Sequence, residues 1–181
     1  MIITLIAVIS APLVIFIFAW GFYFKADPYQ FHLASDMLRI TFPYLILISL
    51  TALSGSILNT YDNFTVPAFT PVLLNISLII SAIFLSQFLS NPIMALAWGV
   101  LIGGILQLAF QIPFLRKIKK LPKLQFGHHK TIDTLKKRML PALFGVSVSQ
   151  INLLVDTMIA STLIAGSVSW LYYSDRLLEL P

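Results

Sequence analysis

The chain has 181 residues and a formal net charge of +5, with 58% hydrophobic and only 10% charged residues; its mean hydropathy is +0.90. A soluble domain carries about a quarter charged residues, so this chain cannot cover a water-soluble core and its outer surface must face lipid. Nucleic-acid binding is excluded by how the charge is placed: nine of the twelve Lys and Arg lie in the single stretch 116–138, with only Lys25, Arg39 and Arg176 elsewhere, which reads as a topology signal rather than a basic face.

Apolar segments of about the 20 residues needed to cross hydrocarbon follow in chain order. The first covers residues 2–24, contains Pro12 and carries no charged side chain. It lacks the basic leader and small-residue cleavage site of a signal peptide, so it reads as a retained span. Residues 25–39 are polar and hold the turn signal Asp27-Pro28. The second span covers 40–60, and Tyr61-Asp62-Asn63 turns the chain into a third, 67–89, which Pro67 is suited to open. Ser90-Asn91-Pro92 is another tight connection, leading to a fourth span over 92–115.

The basic stretch 116–138 comes next and is long enough for an amphipathic helix at the membrane surface. A fifth span covers 140–165, and a sixth begins after Gly166 and is cut off at Pro181. There is no cysteine, hence no disulfide framework or thiolate metal site. Basic loops stay cytoplasmic; this places 116–138 and the Asp62 turn inside, and residues 25–39 and the Ser90 turn outside. A start directly in an apolar segment, and a stop just after a charged cluster, suggest a fragment or a truncated reading frame.

Ionisable groups in hydrocarbon cost about 2.5–3.5 kcal/mol on insertion scales and mark functional positions. On the fifth span Ser149, Asn152 and Asp156 share a helical face. Asp156 reads either as part of a cation site, since carboxylate and amide oxygens suit hard cations, or as an interhelical hydrogen-bonding group. On the sixth, Tyr172, Tyr173, Asp175, Arg176 and Glu179 cluster. Arg176 offers a planar fork that matches phosphate, or anchors the helix at the interface with the tyrosines. Ala95, Gly99 and Gly103 recur every four residues and read as helix packing, as do Asn75 and Ser77. His128 and Asp133 match a spacing used by some lipid acyltransferases, where a carboxylate orients a His base; the pair sits in a Lys-rich loop with no companion site. His128-His129 shows no third metal ligand.

Several motifs occur in order at matching spacings. They are Phe42-Pro43-Tyr44, Gly55-Ser56-Ile57-Leu58-Asn59-Thr60, Pro67-Ala68-Phe69-Thr70-Pro71, Ala95-Leu96-Ala97-Trp98 and the run from Pro141 to Gln150. Last come Gly166-Ser167-Val168-Ser169-Trp170 and Tyr172-Tyr173-Ser174-Asp175-Arg176-Leu177 with Glu179-Leu180-Pro181. Through them most of the chain resembles the MurJ (MviN) lipid II flippase family of the multidrug/oligosaccharidyl-lipid/polysaccharide exporter superfamily. The resemblance implies an all-α, polytopic transmembrane bundle, a fragment of a two-lobed transporter of about fourteen helices around a cationic cavity. Residues 1–115 would be four helices of the N-terminal lobe, 116–138 a basic cytoplasmic loop, and 139–181 a helix and the start of the next in the C-terminal lobe.

It further implies movement of the undecaprenyl-pyrophosphate-linked peptidoglycan precursor, lipid II, from the cytoplasmic to the periplasmic leaflet of the bacterial inner membrane. That is transport, not enzymology, among membrane lipids and with the missing remainder of the transporter in the same or another chain. By the same resemblance Arg176 meets the pyrophosphate, with Asp175 and Ser169 beside the cavity. Asp156 matches an acidic position that contributes to a sodium site in some members, the one ion implied; no other cofactor is. Rival readings are another exporter of the superfamily, a membrane lipid acyltransferase working through His128 and Asp133, and a non-transporting scaffold. Lacking the first two helices and everything after the start of the eighth, the chain alone is not expected to transport.

Overall fold

The computed structural model describes residues 8–18, 28–122, 130–164 and 166–178. Among the described residues there are only helices and their connections: α1 (Ala11–Phe18), α2 (Pro28–Thr41), α3 (Tyr44–Thr60), α4 (Thr65–Ile83), a 3-10 turn at Leu85–Phe88, α5 (Met94–Lys117), α6 (Lys130–Thr162) and α7 (Ser167–Leu178). Four stretches of the described residues are long and apolar enough to cross a membrane: Tyr29–Thr60, Thr65–Ile83, Met94–Lys117 and Met139–Thr162. The chain is thus an all-α, multi-pass membrane bundle, with the second to fifth apolar segments of the sequence each forming a helix. Most of the first segment lies outside the described residues.

Three boundaries differ from those the sequence suggests. Residues 28–39 are not a linker: Pro28 opens α2, because the N–H it lacks would have had no intrahelical partner in the first turn. One turn apart on that helix, Arg39 Nη1 donates to Asp36 Oδ1 at 3.0 Å. The third span ends at Ile83, not Leu89, giving way to the 3-10 turn. The basic stretch holds no separate surface helix among the described residues, since from Lys130 it is continuous with α6, a helix of 33 residues. At 1.5 Å per residue that helix is about 50 Å long. It therefore outruns the hydrocarbon, and its charged first turns project beyond it.

The chain divides into two compact units, Met1–Ala11 with Ala34–Lys123, and Pro12–Leu33 with Leu124–Pro181. In the first, α4 and α3 both pack on α5. The small-residue stripe permits this. A Cβ on Gly99 would stand 2.9 Å from Ser81 Cβ, and one on Gly103 would stand 2.7 Å from Leu74 Cδ1 and 3.3 Å from its Cα. On the adjoining face a Cβ on Gly104 would meet the Tyr44 ring at 2.6 Å. With backbones this close, Ser77 Oγ donates to the Gly99 carbonyl at 2.8 Å. Such contacts replace the hydrophobic drive that is missing between helices in lipid.

The helices α3 and α5 end alike. Asp62 takes φ 57° and Lys119 φ 57°; in each case the amide one residue further on reaches back five residues, Asn63 N–H to Leu58 O and Lys120 N–H to Leu115 O, both at 3.0 Å. These are Schellman closures, which satisfy carbonyls the helix leaves orphaned. Lys120 Nζ lies 5.6 Å from the centroid of the Tyr61 ring, so the two ends share one side of the bundle.

Candidate functional site

The second unit contains α6 and α7, joined by a short reversal. Gly166 adopts φ +100°, a conformation costly for residues with a Cβ. Ser167 N–H bonds Ile164 O at 3.2 Å, and Trp170 N–H bonds Gly166 O at 2.9 Å. The helices therefore run back along each other, and residues at increasing distance from Gly166 pair across the hairpin. One face of α6, formed by Leu153, Asp156, Ala160 and Leu163, lines the clefts it shares with α7.

Two clefts lie along that seam. The one nearer the reversal is an open cleft of about 460 Å³, to which Asp156, Ser167, Trp170 and Ser174 contribute polar or aromatic groups. The one farther from it, also open, has about 440 Å³ and is lined by Leu153, Tyr172, Asp175, Arg176 and Leu178, with Tyr172 and Arg176 exposed. Arg176 Nε donates to the Tyr172 hydroxyl at 3.2 Å, and its guanidinium carbon stands 5.4 Å from the centroid of the same ring. Tyr172 in turn packs edge-on against Tyr173 at 5.9 Å. A guanidinium tied at Nε and held against an aromatic ring has its plane fixed, and its terminal nitrogens carry the donors that pair bidentately with phosphate oxygens.

Arg176 lies about 14 Å along α7 from its first residue, at 1.5 Å per residue. Asp156 lies under two turns before the end of α6. A carboxylate and two serine hydroxyls lining one cleft form an oxygen donor set that suits a hard cation such as sodium.

The structure brings Arg176, Asp175 and Tyr172 to one cleft and Asp156 to its neighbour. Ser169 shares the helical face of Arg176, two turns earlier, but is exposed and lines neither cleft. Asn152 is exposed as well and stands outside both. The Ser149 side chain, Glu179 and His128 lie outside the described residues; Asp133 is on α6, but its side chain is also outside them. One polar group went unread in the sequence: Gln107 and Gln111, four apart on α5, are both buried among apolar residues. Their spacing within an apolar segment was the available signal.

Comparison with known proteins accounts for the whole chain. The family model for "Lipid II flippase MurJ" matches residues 1–181. A probable lipid II flippase MurJ of Haemophilus influenzae is 48% identical over 186 residues, covering 99% of this chain and 36% of that protein. The corresponding protein of Vibrio cholerae is 49% identical, covering 99% and 35%. The lipid II flippase MurJ of Burkholderia cenocepacia is 42% identical, covering 99% and 36%. The chain thus spans about a third of the length of these curated relatives.

Proposed function

The chain belongs to the lipid II flippase MurJ family, and on that premise we propose that it is part of a flippase carrying lipid-linked peptidoglycan precursor across the bacterial inner membrane. It acts as a transporter component rather than an enzyme. The observation that carries this reading is the cleft of the α6–α7 hairpin farther from Gly166, which Arg176 and Asp175 both line and where the Tyr172 hydroxyl accepts from Arg176 Nε.

A pyrophosphate-linked lipid presents two adjacent anionic phosphates. A planar guanidinium fixed at Nε meets one of them with parallel N–H donors, in a medium where water does not compete. The exposed face of α7 that Ser169 shares with Arg176 would flank the headgroup. Asp175 balances the arginine when substrate leaves, which keeps the cation from being stranded in hydrocarbon. Residues 1–115 and 139–181 contribute to separate lobes, whose relative rocking alternates access. The hydroxyls of Ser167 and Ser174 with the Asp156 carboxylate would hold a sodium ion, and an ion bound there supplies a gradient to drive that motion.

Binding of fluorescent lipid II to the chain in nanodiscs tests the assignment. A charge-assisted bond contributes about 1.5–3 kcal/mol, so Arg176→Ala should weaken binding by about tenfold or more, with Arg176→Lys recovering only part of the loss. Equal affinity of wild type and Arg176→Ala, or stronger binding of small organic cations than of lipid II, would overturn it.

A further inference from the structure

The first unit contains a buried polar junction that neither the family reading nor the α6–α7 clefts use. Gln107 and Gln111 of α5 and Thr51 of α3 are 3%, 1% and 5% exposed. Gln107 Oε1, Gln111 Oε1 and Thr51 Oγ1 have no hydrogen-bond partner among the described residues. In hydrocarbon each such atom costs several kcal/mol, because no lipid group can compensate.

The amide orientations are set by their partners and cannot be exchanged to remove the problem. Gln107 Nε2 donates to the Thr70 carbonyl at 3.2 Å, a role only nitrogen can fill. Gln111 Nε2 stands 3.0 Å from Thr70 Oγ1. With the Thr70 hydroxyl donating to Val66 O at 2.9 Å, it accepts from Gln111. Both Oε1 atoms therefore face away from Thr70 and require donors.

The junction is short of donors throughout. Pro71 has no N–H, so the Pro67 carbonyl loses its regular helical donor. Thr51 lies four residues after Leu47, which abuts Gly104, and four before Gly55, which abuts Gln111, so it is level with Gln107. The packing at Gly55 is also looser than along the rest of the seam. A Cβ on Gly55 would meet Pro67 Cβ at 3.4 Å and Gln111 Nε2 at 3.8 Å, ordinary contacts. Gly99, Gly103 and Gly104 would each meet a neighbour at 2.9 Å or less.

We propose that the α3–α4–α5 junction binds a structural water between Gln107, Gln111 and Thr51, beside Gly55. One water donates to two amide oxygens and accepts the Thr51 O–H, which matches the inventory group for group. A sodium ion fits worse. Three neutral side-chain oxygens with no carboxylate leave its charge uncompensated in a low-dielectric interior. The water joins α3 to the α4–α5 pair at mid-membrane by hydrogen bonds that neither glutamine makes directly.

Water-edited solid-state NMR of the full chain in lipid nanodiscs, with glutamine labelled, tests this. The side-chain carbonyl carbons of Gln107 and Gln111 should receive magnetisation from water as quickly as exposed loop sites do. Gly55→Ala puts a methyl 3.8 Å from the Gln111 amide nitrogen, crowding the junction, and should cut the transfer to Gln111 several-fold while leaving the helix content by circular dichroism unchanged. Should that variant not insert, Thr51→Val removes the third partner at nearly the same shape and should weaken the transfer likewise. Absent transfer in the wild type, or transfer that survives both substitutions, overturns the proposal. So do glutamine shifts that follow sodium chloride but not choline chloride, which would identify a cation instead.

Discussion

Alanine at Gly104 is predicted to destabilise the first unit although alanine is the better helix former. Its Cβ would stand 2.6 Å from Tyr44 Cδ2, 3.0 Å from Cε2 and 3.2 Å from Leu47 Cβ, whereas carbon pairs settle at about 3.5–4.0 Å. The ring must retreat by about 1 Å. Tyr44 opens α3 next to Pro43, so its ring carries that helix with it. Overpacking of this kind costs about 1–3 kcal/mol, against a gain of about 0.5–1 kcal/mol from replacing a helical glycine. From the middle of those ranges the net expectation is a loss of about 1 kcal/mol.

Gly145 is the internal control, being helical with nothing within 4 Å of its would-be Cβ. Its alanine variant should gain the propensity alone, about 0.5–1 kcal/mol. The two substitutions act equally on the unfolded chain, so their difference isolates packing. Unfolding by sodium dodecyl sulfate in mixed micelles, followed by circular dichroism, measures both. A Gly104→Ala chain as stable as the wild type, or parallel shifts in the two variants, would refute the argument that α3 and α5 are in backbone-close contact.

Thr70→Val removes the acceptor of Gln111 Nε2 and strands a buried amide donor, which should cost about 1–3 kcal/mol in the same titration. Gly166→Ala forces a Cβ onto φ +100°, at a cost of about 1–3 kcal/mol. Hydrogen exchange should quicken at the α6–α7 reversal while α3–α5 stay protected. If Asp156 holds sodium, replacing choline chloride by sodium chloride should raise the melting temperature of the wild type but not of Asp156→Asn. An equal rise in both would remove Asp156 from the ion site.

The class of this protein was decided by composition, because a chain so poor in charge has only lipid to face. Segment positions were legible for a related reason: a helix that satisfies its own backbone is the only continuous way across hydrocarbon, and about 20 apolar residues mark it. The order of motifs carried the family, and Arg176 stood out in the polar cluster of Tyr172, Tyr173, Asp175 and Glu179. The sequence pattern could not show that Pro28 starts a helix or that the basic stretch extends α6, since charge marks where a chain leaves the membrane and not whether it stays helical. Nor did it separate Asp156 from Arg176: both were membrane-embedded charges until the reversal at Gly166 paired α6 with α7 and set them in different clefts. The junction of Gln107, Gln111 and Thr51 belongs to tertiary structure alone. Its atoms lie on two helices, their partner Thr70 lies on a third, and only packing on Gly99, Gly103 and Gly104 buries them together.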